Sequence, residues 1–419
     1  MAPSGNLETA RLKNSLEQEG GPVSRTAVVV DAVRSPMAKG KPARDGRAGG
    51  ALCDVHPVEL LGQVLESLFA RNAAVDPGEV EDVIAGCVSQ VGEQAGPIGR
   101  WAWLAAGLPD HVPSVAVNRA CGSSQQAVDF AAQGVLAGVY DIVVACGVES
   151  MSRIPMGTAR MGQDHQGPSV AARYAPGLVS QGISAELISA RFGIGRDELD
   201  EFSAASHARA HAADFTAEIV PVRRPDGSLV DHDETVRPAT TAAGLAELRP
   251  AFRSDEMSER FTEIQWNVTA GNSSQLADGA SAVLIMTEER ALQLGLTPRA
   301  RFHSFAVAGD DPITMLMGPV PATEKLLKRA GLSIGDIDHY EINEAFAPVP
   351  IAWGRHFGAD PARINPAGGA IALGHPLGAS GARLLTTMLG QLERTGGRYG
   401  LQTMCEAGGM ANATLIERL

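Results

Sequence analysis

The chain has 419 residues, 44% apolar and 20% charged, with a formal net charge of −13. That is enough material for two or three domains with a sizeable core, and the acidic balance argues against a phosphate-tracking nucleic-acid surface. No apolar run approaches the ~18 residues of a membrane span, the first residues lack a basic, apolar secretory leader, and five scattered cysteines without a CxxC pair suit a reducing, cytoplasmic setting.

Residues 1–24 are polar without an apolar face and read as an extension. Short β-branched runs predict strands over 27–30, 81–85, 114–117 and 142–146, and apolar spacing predicts helices over 57–70 and 121–138. Residues 151–270 change texture, rich in Met, Arg, Pro and acids, and read as an insertion with a helix near 196–213. His207 and His211 sit i, i+4 on that helix and read as a solvated face, not a metal pair; Asp231, Asp233 and Glu234 around His232 read as an exposed acidic loop. Strand texture resumes over 281–286 and 338–342, followed by a helix from 380 and a strand over 401–405. The later elements repeat the earlier ones. Cys121 stands 25 residues before Cys146, Ser380 stands 25 before Cys405, and the segment 75–81 resembles 332–338. This predicts two copies of one α/β unit, 25–150 plus 271–297 and 298–419, around the inserted 151–270.

Four places offer chemistry. Cys121 lies where a strand turns into a helix, and the positive end of a helix favours thiolate, the nucleophilic form; a buried small hydrophobe is the other reading. Cys405 ends a strand before Glu406-Ala407-Gly408-Gly409, a turn permitting close backbone approach to a ligand. His375, between Gly374 and Pro376, is presented to take a thiol proton or to donate to an oxyanion. Asn343, in Asn343-Glu344-Ala345-Phe346-Ala347, ends a strand and can position a water. No GxGxxG or GxxxxGK[ST] pattern marks a nucleotide loop.

Together these segments, occurring in family order, resemble the thiolase family, in its Asn-Glu-Ala-Phe branch, across nearly the whole chain; loop composition is similar to catabolic and steroid-side-chain thiolases of actinobacteria. The resemblance implies an α/β fold of two duplicated, mixed five-stranded halves in a layered α-β-α-β-α core with an inserted loop domain, working as a homotetramer or homodimer. It implies that Cys121 takes the acyl group of a 3-ketoacyl-CoA, that His375 activates it, and that Cys405 is the acid/base. Asn343 with His375 forms one oxyanion hole, and the backbone N–H groups of Cys121 and Ala407 form the other. Coenzyme A is a co-substrate, with acetyl-CoA as product or reactant, and no permanent cofactor, metal, nucleic acid or membrane is implied. By the same resemblance Ser274 contacts pantetheine, Arg237 the nucleotide end, and Phe346 with Ala345 the acyl chain. Ala407 departs from the family glycine; its methyl would be strained at positive φ. The segment 252–267 is read either as an acyl-pocket wall or as a contact between subunits. A ketoacyl-synthase-like enzyme is disfavoured by the second thiol and by Asn343. A non-catalytic acyl-CoA-binding subunit is disfavoured because all four reactive residues are present.

Overall fold

A computed structural model describes residues 25–419; the extension expected over 1–24 lies outside them. The strands are β1 (Ala27–Arg34), β2 (Ala38–Lys39), β3 (Asp82–Gly86), β4 (Ser114–Val117), β5 (Ile142–Ser150), β6 (Val222–Arg223), β7 (Leu229–Val230), β8 (Ala277–Thr287), β9 (Ala300–Gly309), β10 (His339–Ile342), β11 (Tyr399–Glu406) and β12 (Met410–Arg418). Ten of them form one sheet in the order β10-β11-β12-β9-β1-β8-β5-β3-β4, with β2 beside β8. The helices used below are α1 (Pro57–Arg71), α2 (Ser123–Leu136), α3 (Gln181–Phe192), α4 (Arg196–Ala212), α5 (Pro319–Ala330), α6 (Pro348–Phe357) and α7 (Ser380–Thr395).

The two halves are visible within the sheet. Strands β4-β3-β5-β8-β1 make one and β10-β11-β12-β9 the other; they meet through two residue pairs, Val28↔Arg301 and Val29↔Ala300. In each half the parallel strands lie at the far edge and the antiparallel ones at the junction. The pair Asp82↔Val143 recurs as His339↔Gly400, an offset of 257, and the starts of α2 and α7 obey the same offset. The 259 offset that matched Cys146 with Cys405 is therefore two residues out, and Cys405 corresponds to Val148. A slip of two keeps every side chain on its own face of the strand, so the apolar pattern does not reveal it. The fifth place of the second half, that of β4, is reduced to a single bridge from Ile364 to Tyr340. There the side chain of Asn365 replaces a strand backbone, accepting from Ile342 N at 2.8 Å and donating to Ile342 O at 2.8 Å.

Helices α2 and α7 form the middle layer. Ala127, Ala131 and Val135 of one share a core with Leu385, Met388 and Leu392 of the other and with Val29, Val143 and Ile285 of the sheet. Small residues set their closeness: a Cβ on Gly381 would lie 2.1 Å from Gln125 N. Outside the first half, α1 buries Leu60, Leu61, Val64, Leu65 and Leu68. Its start is set by His56, whose Nδ1 accepts from Val58 N, and by Pro57 in the first turn. Outside the second half, α5 and α6 cover β9 to β12. Strand β1 is buried along all eight residues, covered on both faces, hence its apolar opening run Ala27-Val28-Val29-Val30; its two charges, Asp31 and Arg34, are buried as well.

The inserted segment departs from two expectations. His207 is buried, not solvated, and its Nδ1 accepts from Arg237 N at 3.1 Å. The acidic loop is not free either. Asp233 pairs with the fully buried Arg34 at 2.7 Å, beside Glu218 at 2.6 Å, and Glu234 accepts from Lys39 N and Ala51 N. The guanidinium sealed in the core is met by two carboxylates, one from the loop and one from Glu218.

Candidate active site

Strand β4 runs out at Val117, and a short turn then carries Cys121 to the head of α2. The turn is strained at Ala120, whose φ is +46°, a region costly for a residue with a Cβ. Asn118 holds it: Nδ2 donates to Val88 O at 3.1 Å and Oδ1 accepts from Ala120 N at 2.9 Å. Cys121 is 5% exposed, packed against Leu384 and Met404. The helix end was expected to favour thiolate. Instead burial, with Glu406 nearby, pushes the thiol up to about 12, against hydrogen bonds from its own backbone and from the Gln181 side chain. A thiol so placed needs a base.

His375 is buried and neutral in the same site. It is 4% exposed, and burial, with the Arg383 guanidinium nearby, pulls its pKa down to about 3. Its backbone N–H donates to Gln275 O at 2.9 Å. Nδ1 lies 2.6 Å from Ser380 Oγ, and that hydroxyl gives its single proton to Pro376 O at 2.9 Å. With the hydroxyl proton on Pro376 O, Nδ1 is the protonated nitrogen and the Nε2 lone pair faces the site. Asn343 Nδ2 donates to Nε2 at 3.4 Å and its side chain also bonds the Cys405 sulfur, while its Oδ1 is buried without a protein partner. Cys405 is 1% exposed; burial and the neighbouring Cys121 and Glu406 push its thiol well above the usual range. The structure thus brings together all four residues singled out for chemistry, Cys121 from one half and Asn343, His375 and Cys405 from the other.

Ala407 heads the exposed turn after Cys405, and its φ is not positive; the left-handed positions are Gly408 at +85° and Gly409 at +80°. The alanine therefore sits without the strain a positive φ would bring. Ser274 N donates to Ala345 O at 2.9 Å, Ser273 bridges Phe346, and Ala347 N donates to Asn272 O, so the expected pantetheine and acyl-chain residues lie side by side. Phe346 is buried, and its ring meets that of Phe252 at 5.8 Å, edge to face. Phe252 also covers Gly182, so the 252–267 segment begins as a wall within this chain. Arg237 is exposed, and its Nη2 donates to Gln275 Oε1 at 2.8 Å. Glu344 is a brace: it accepts from Ser206 Oγ, Asn365 Nδ2 and Ile371 N.

Three neighbours of the reactive groups escaped the sequence reading: Gln181 at the Cys121 sulfur, Ser380 behind His375, and Glu406. Glu406 is buried with neither carboxylate oxygen paired, and burial raises it to about 8. Only its place directly after Cys405 hinted at it.

Comparison with known proteins places this arrangement. The thiolase N-terminal domain family model matches residues 27–289 and the thiolase C-terminal domain model residues 296–418. The chain is 46% identical to the steroid 3-ketoacyl-CoA thiolase FadA6 of Mycobacterium tuberculosis, over 95% of this chain and 96% of that one. It is 45% identical to a 3-ketoacyl-CoA thiolase of Vibrio vulnificus, over 94% of this chain and all of that one. The crystal structure of Bacillus anthracis acetyl-CoA acetyltransferase superposes with a TM-score of 0.82 at 37% identity, covering 94% of this chain and 99% of that one. With both family domains matched in order along one chain, and relatives of this identity covering 94–95% of it, the chain belongs to the thiolase family.

Proposed function

We propose that this thiolase cleaves a 3-ketoacyl-CoA with coenzyme A, or runs the reverse condensation, by a ping-pong route through an acyl group on Cys121. The observation that carries the reading is the gathering of two neighbouring buried thiols, Cys121 and Cys405, with a neutral imidazole, Asn343 bonding both His375 and the Cys405 sulfur. His375 Nε2 takes the Cys121 proton as the sulfur attacks the 3-keto carbon. Collapse of the tetrahedral oxyanion breaks the bond between C2 and C3, and Cys405 gives its proton to the departing acetyl-CoA carbanion. Cys405 then takes the proton of the incoming coenzyme A, whose sulfur attacks the acyl-Cys121 thioester; Cys121 leaves as thiolate, recovers its proton from His375, and the shortened acyl-CoA is freed. Two oxyanions form along this route. Asn343 with His375 would serve one, and the N–H groups of Cys121 and Ala407 the other. Ser274 and Arg237 would hold pantetheine and nucleotide, and Ala345 and Phe346 the acyl chain.

The boundaries follow the same reading: 25–150 with 271–297 as one half, 298–419 as the other, and 151–270 inserted over the site. Strand β4 is a sheet edge carrying exposed Val115, with Trp101 and Phe130 also exposed; a second copy of this chain would cover such an edge. That supports a dimer, or a tetramer built from it. Five free cysteines, and no helix among the described residues long and apolar enough to cross a membrane, support a cytoplasmic site of action.

Intact-protein mass spectrometry tests the reading: the protein is mixed with short, long and steroid-like 3-ketoacyl-CoAs, alongside Cys121→Ala. The expected result is an acyl adduct on the native chain that is absent from the variant, its mass naming the acyl group. No adduct on folded, reduced protein would turn the assignment to a non-catalytic acyl-CoA-binding subunit.

A further inference from the structure

Glu149 is the next-to-last residue of β5 and is fully buried. No cation among the described residues pairs with it; four N–H donors do. Oε2 accepts from Val88 N and Gly378 N, each at 2.9 Å, and Oε1 accepts from Ser89 N at 3.0 Å and Gln94 Nε2 at 2.9 Å. Burial raises the pKa of this group and the four donors lower it. Only the ionised form accepts on both oxygens with no proton left to place.

What those donors belong to is the point. Val88 and Ser89 form the turn after β3, and the Val88 carbonyl accepts from Asn118, whose side chain in turn accepts from Ala120 N, next to Cys121. Cys87 N also donates to Val117 O at 3.1 Å, so the same turn grips the end of β4 from which the Cys121 turn departs. Gly378 stands three residues after His375, in the loop that presents the imidazole. That loop lies against Glu149 without slack: a Cβ on Gly378 would be 2.5 Å from Val148 O and 2.8 Å from both Glu149 Oε2 and Cys87 Cα. One carboxylate therefore ties the support of the nucleophile to the loop of the base, although the two come from different halves of the molecule.

We infer that Glu149 is a positioning residue that sets the separation between the Cys121 sulfur and His375 Nε2. The inference rests on the reading of Cys121 as nucleophile and His375 as its base. Glu149→Gln keeps the volume but turns one acceptor into a donor facing backbone N–H groups, so at least one N–H of the Val88-Ser89 turn or of Gly378 loses its acceptor. A displacement of about 1 Å between reacting groups costs on the order of 100-fold in rate.

The test uses the full chain as Glu149→Gln and, independently, as Gly378→Ala, whose Cβ forces the His375 loop away from Val148, Glu149 and Cys87. Three quantities are read: the melting temperature, the rate of Cys121 alkylation by iodoacetamide from pH 6 to 10, and kcat and KM for thiolysis. Expected in both variants is alkylation at pH 7.5 slowed by about 100-fold and rising steeply with pH, as for a buried thiol without a base, with kcat falling in parallel and the KM for coenzyme A changed by less than about threefold. A folded Glu149→Gln protein with the native alkylation profile overturns the inference. So does a kcat loss matched by a falling melting temperature while alkylation stays native, since that marks stability alone. If Glu149→Gln does not fold, a native alkylation profile in folded Gly378→Ala overturns it by itself. Alkylation needs no acyl-CoA. A native chain that turns over no 3-ketoacyl-CoA refutes the proposed reaction, and the alkylation profiles still decide whether Glu149 positions the thiol and the imidazole.

Discussion

Replacing His375 with alanine isolates the step on which the mechanism depends. A thiol held at about 12 is ionised to only ~10⁻⁵ at pH 7 if nothing accepts its proton. The imidazole, held down at about 3, stays neutral and able to accept at every pH above that. Thiol and imidazole therefore keep their reactive protonation states across the whole interval between them, and acylation of the native enzyme should be flat from pH 5 to 8. Without the base, each unit of pH raises the thiolate population tenfold. Acylation of His375→Ala should fall by about 10²–10⁴ at pH 7, the range of a positioned base, and should climb tenfold per unit from pH 6 to 9. Rapid-quench mass spectrometry of acyl-Cys121 formation gives both profiles. A native profile titrating near pH 6.5 would refute the buried-imidazole reasoning. A pH-independent residual rate in the variant would show that some other group takes the proton.

Arg34→Ala strands Glu218 and Asp233 in the core, and urea unfolding should show a loss of about 3–5 kcal/mol; a loss under 1 kcal/mol would mean that the two acids are not ionised. Asp129 is raised to about 7 by burial, against about 3.9 when unfolded, so between those values the native state holds a proton that the unfolded state lacks. Its contribution to stability is therefore full below pH 4 and lost as pH rises through 7, by at most ~4 kcal/mol. Asp129→Asn should flatten the decline of melting temperature between pH 5 and 8, and an unchanged slope would remove Asp129 from that balance. Ala407→Gly should leave the fold intact, since φ there is not positive, and should shift the acyl-chain preference; identical rates across a chain-length series would show that the methyl faces away from substrate.

Elements with a single physical signature could be read from the chain alone. β5 and β8 are apolar runs buried on both faces, and α7 spaces its apolar residues at the helical period. β12 was missed because its inner face is polar: Asn412 donates to Gln126 and Asp129, and Thr414 donates to Asp129, so alternation is masked by hydrogen bonding to α2. Cys121, Asn343, His375 and Cys405 stood out because each sits among glycines or at an element end. Glu149 did not. An acid closing an apolar strand looks like a residue stepping into solvent, and its partner Gly378 lies 229 positions away. Gln181 and Ser380 were hidden in the same way, as ordinary polar residues in the first turns of α3 and α7. The acidic loop misled for the opposite reason, since its buried counter-ion, Arg34, is nearly 200 residues upstream.

The junction at β1 and β9 has a consequence for how the protein ages under heat. Two residue pairs are a thin backbone hinge, and the middle helices must keep the halves aligned. If Cys121 carries the acyl group and His375 takes its proton, as proposed, a slight parting of the halves disarms the enzyme while each half is still folded. Loss of turnover on warming should then precede loss of helical signal, and should reverse on cooling. The repeat also divides the candidate chemistry unequally: Cys121 comes from one half, and Asn343, His375 and Cys405 come from the other.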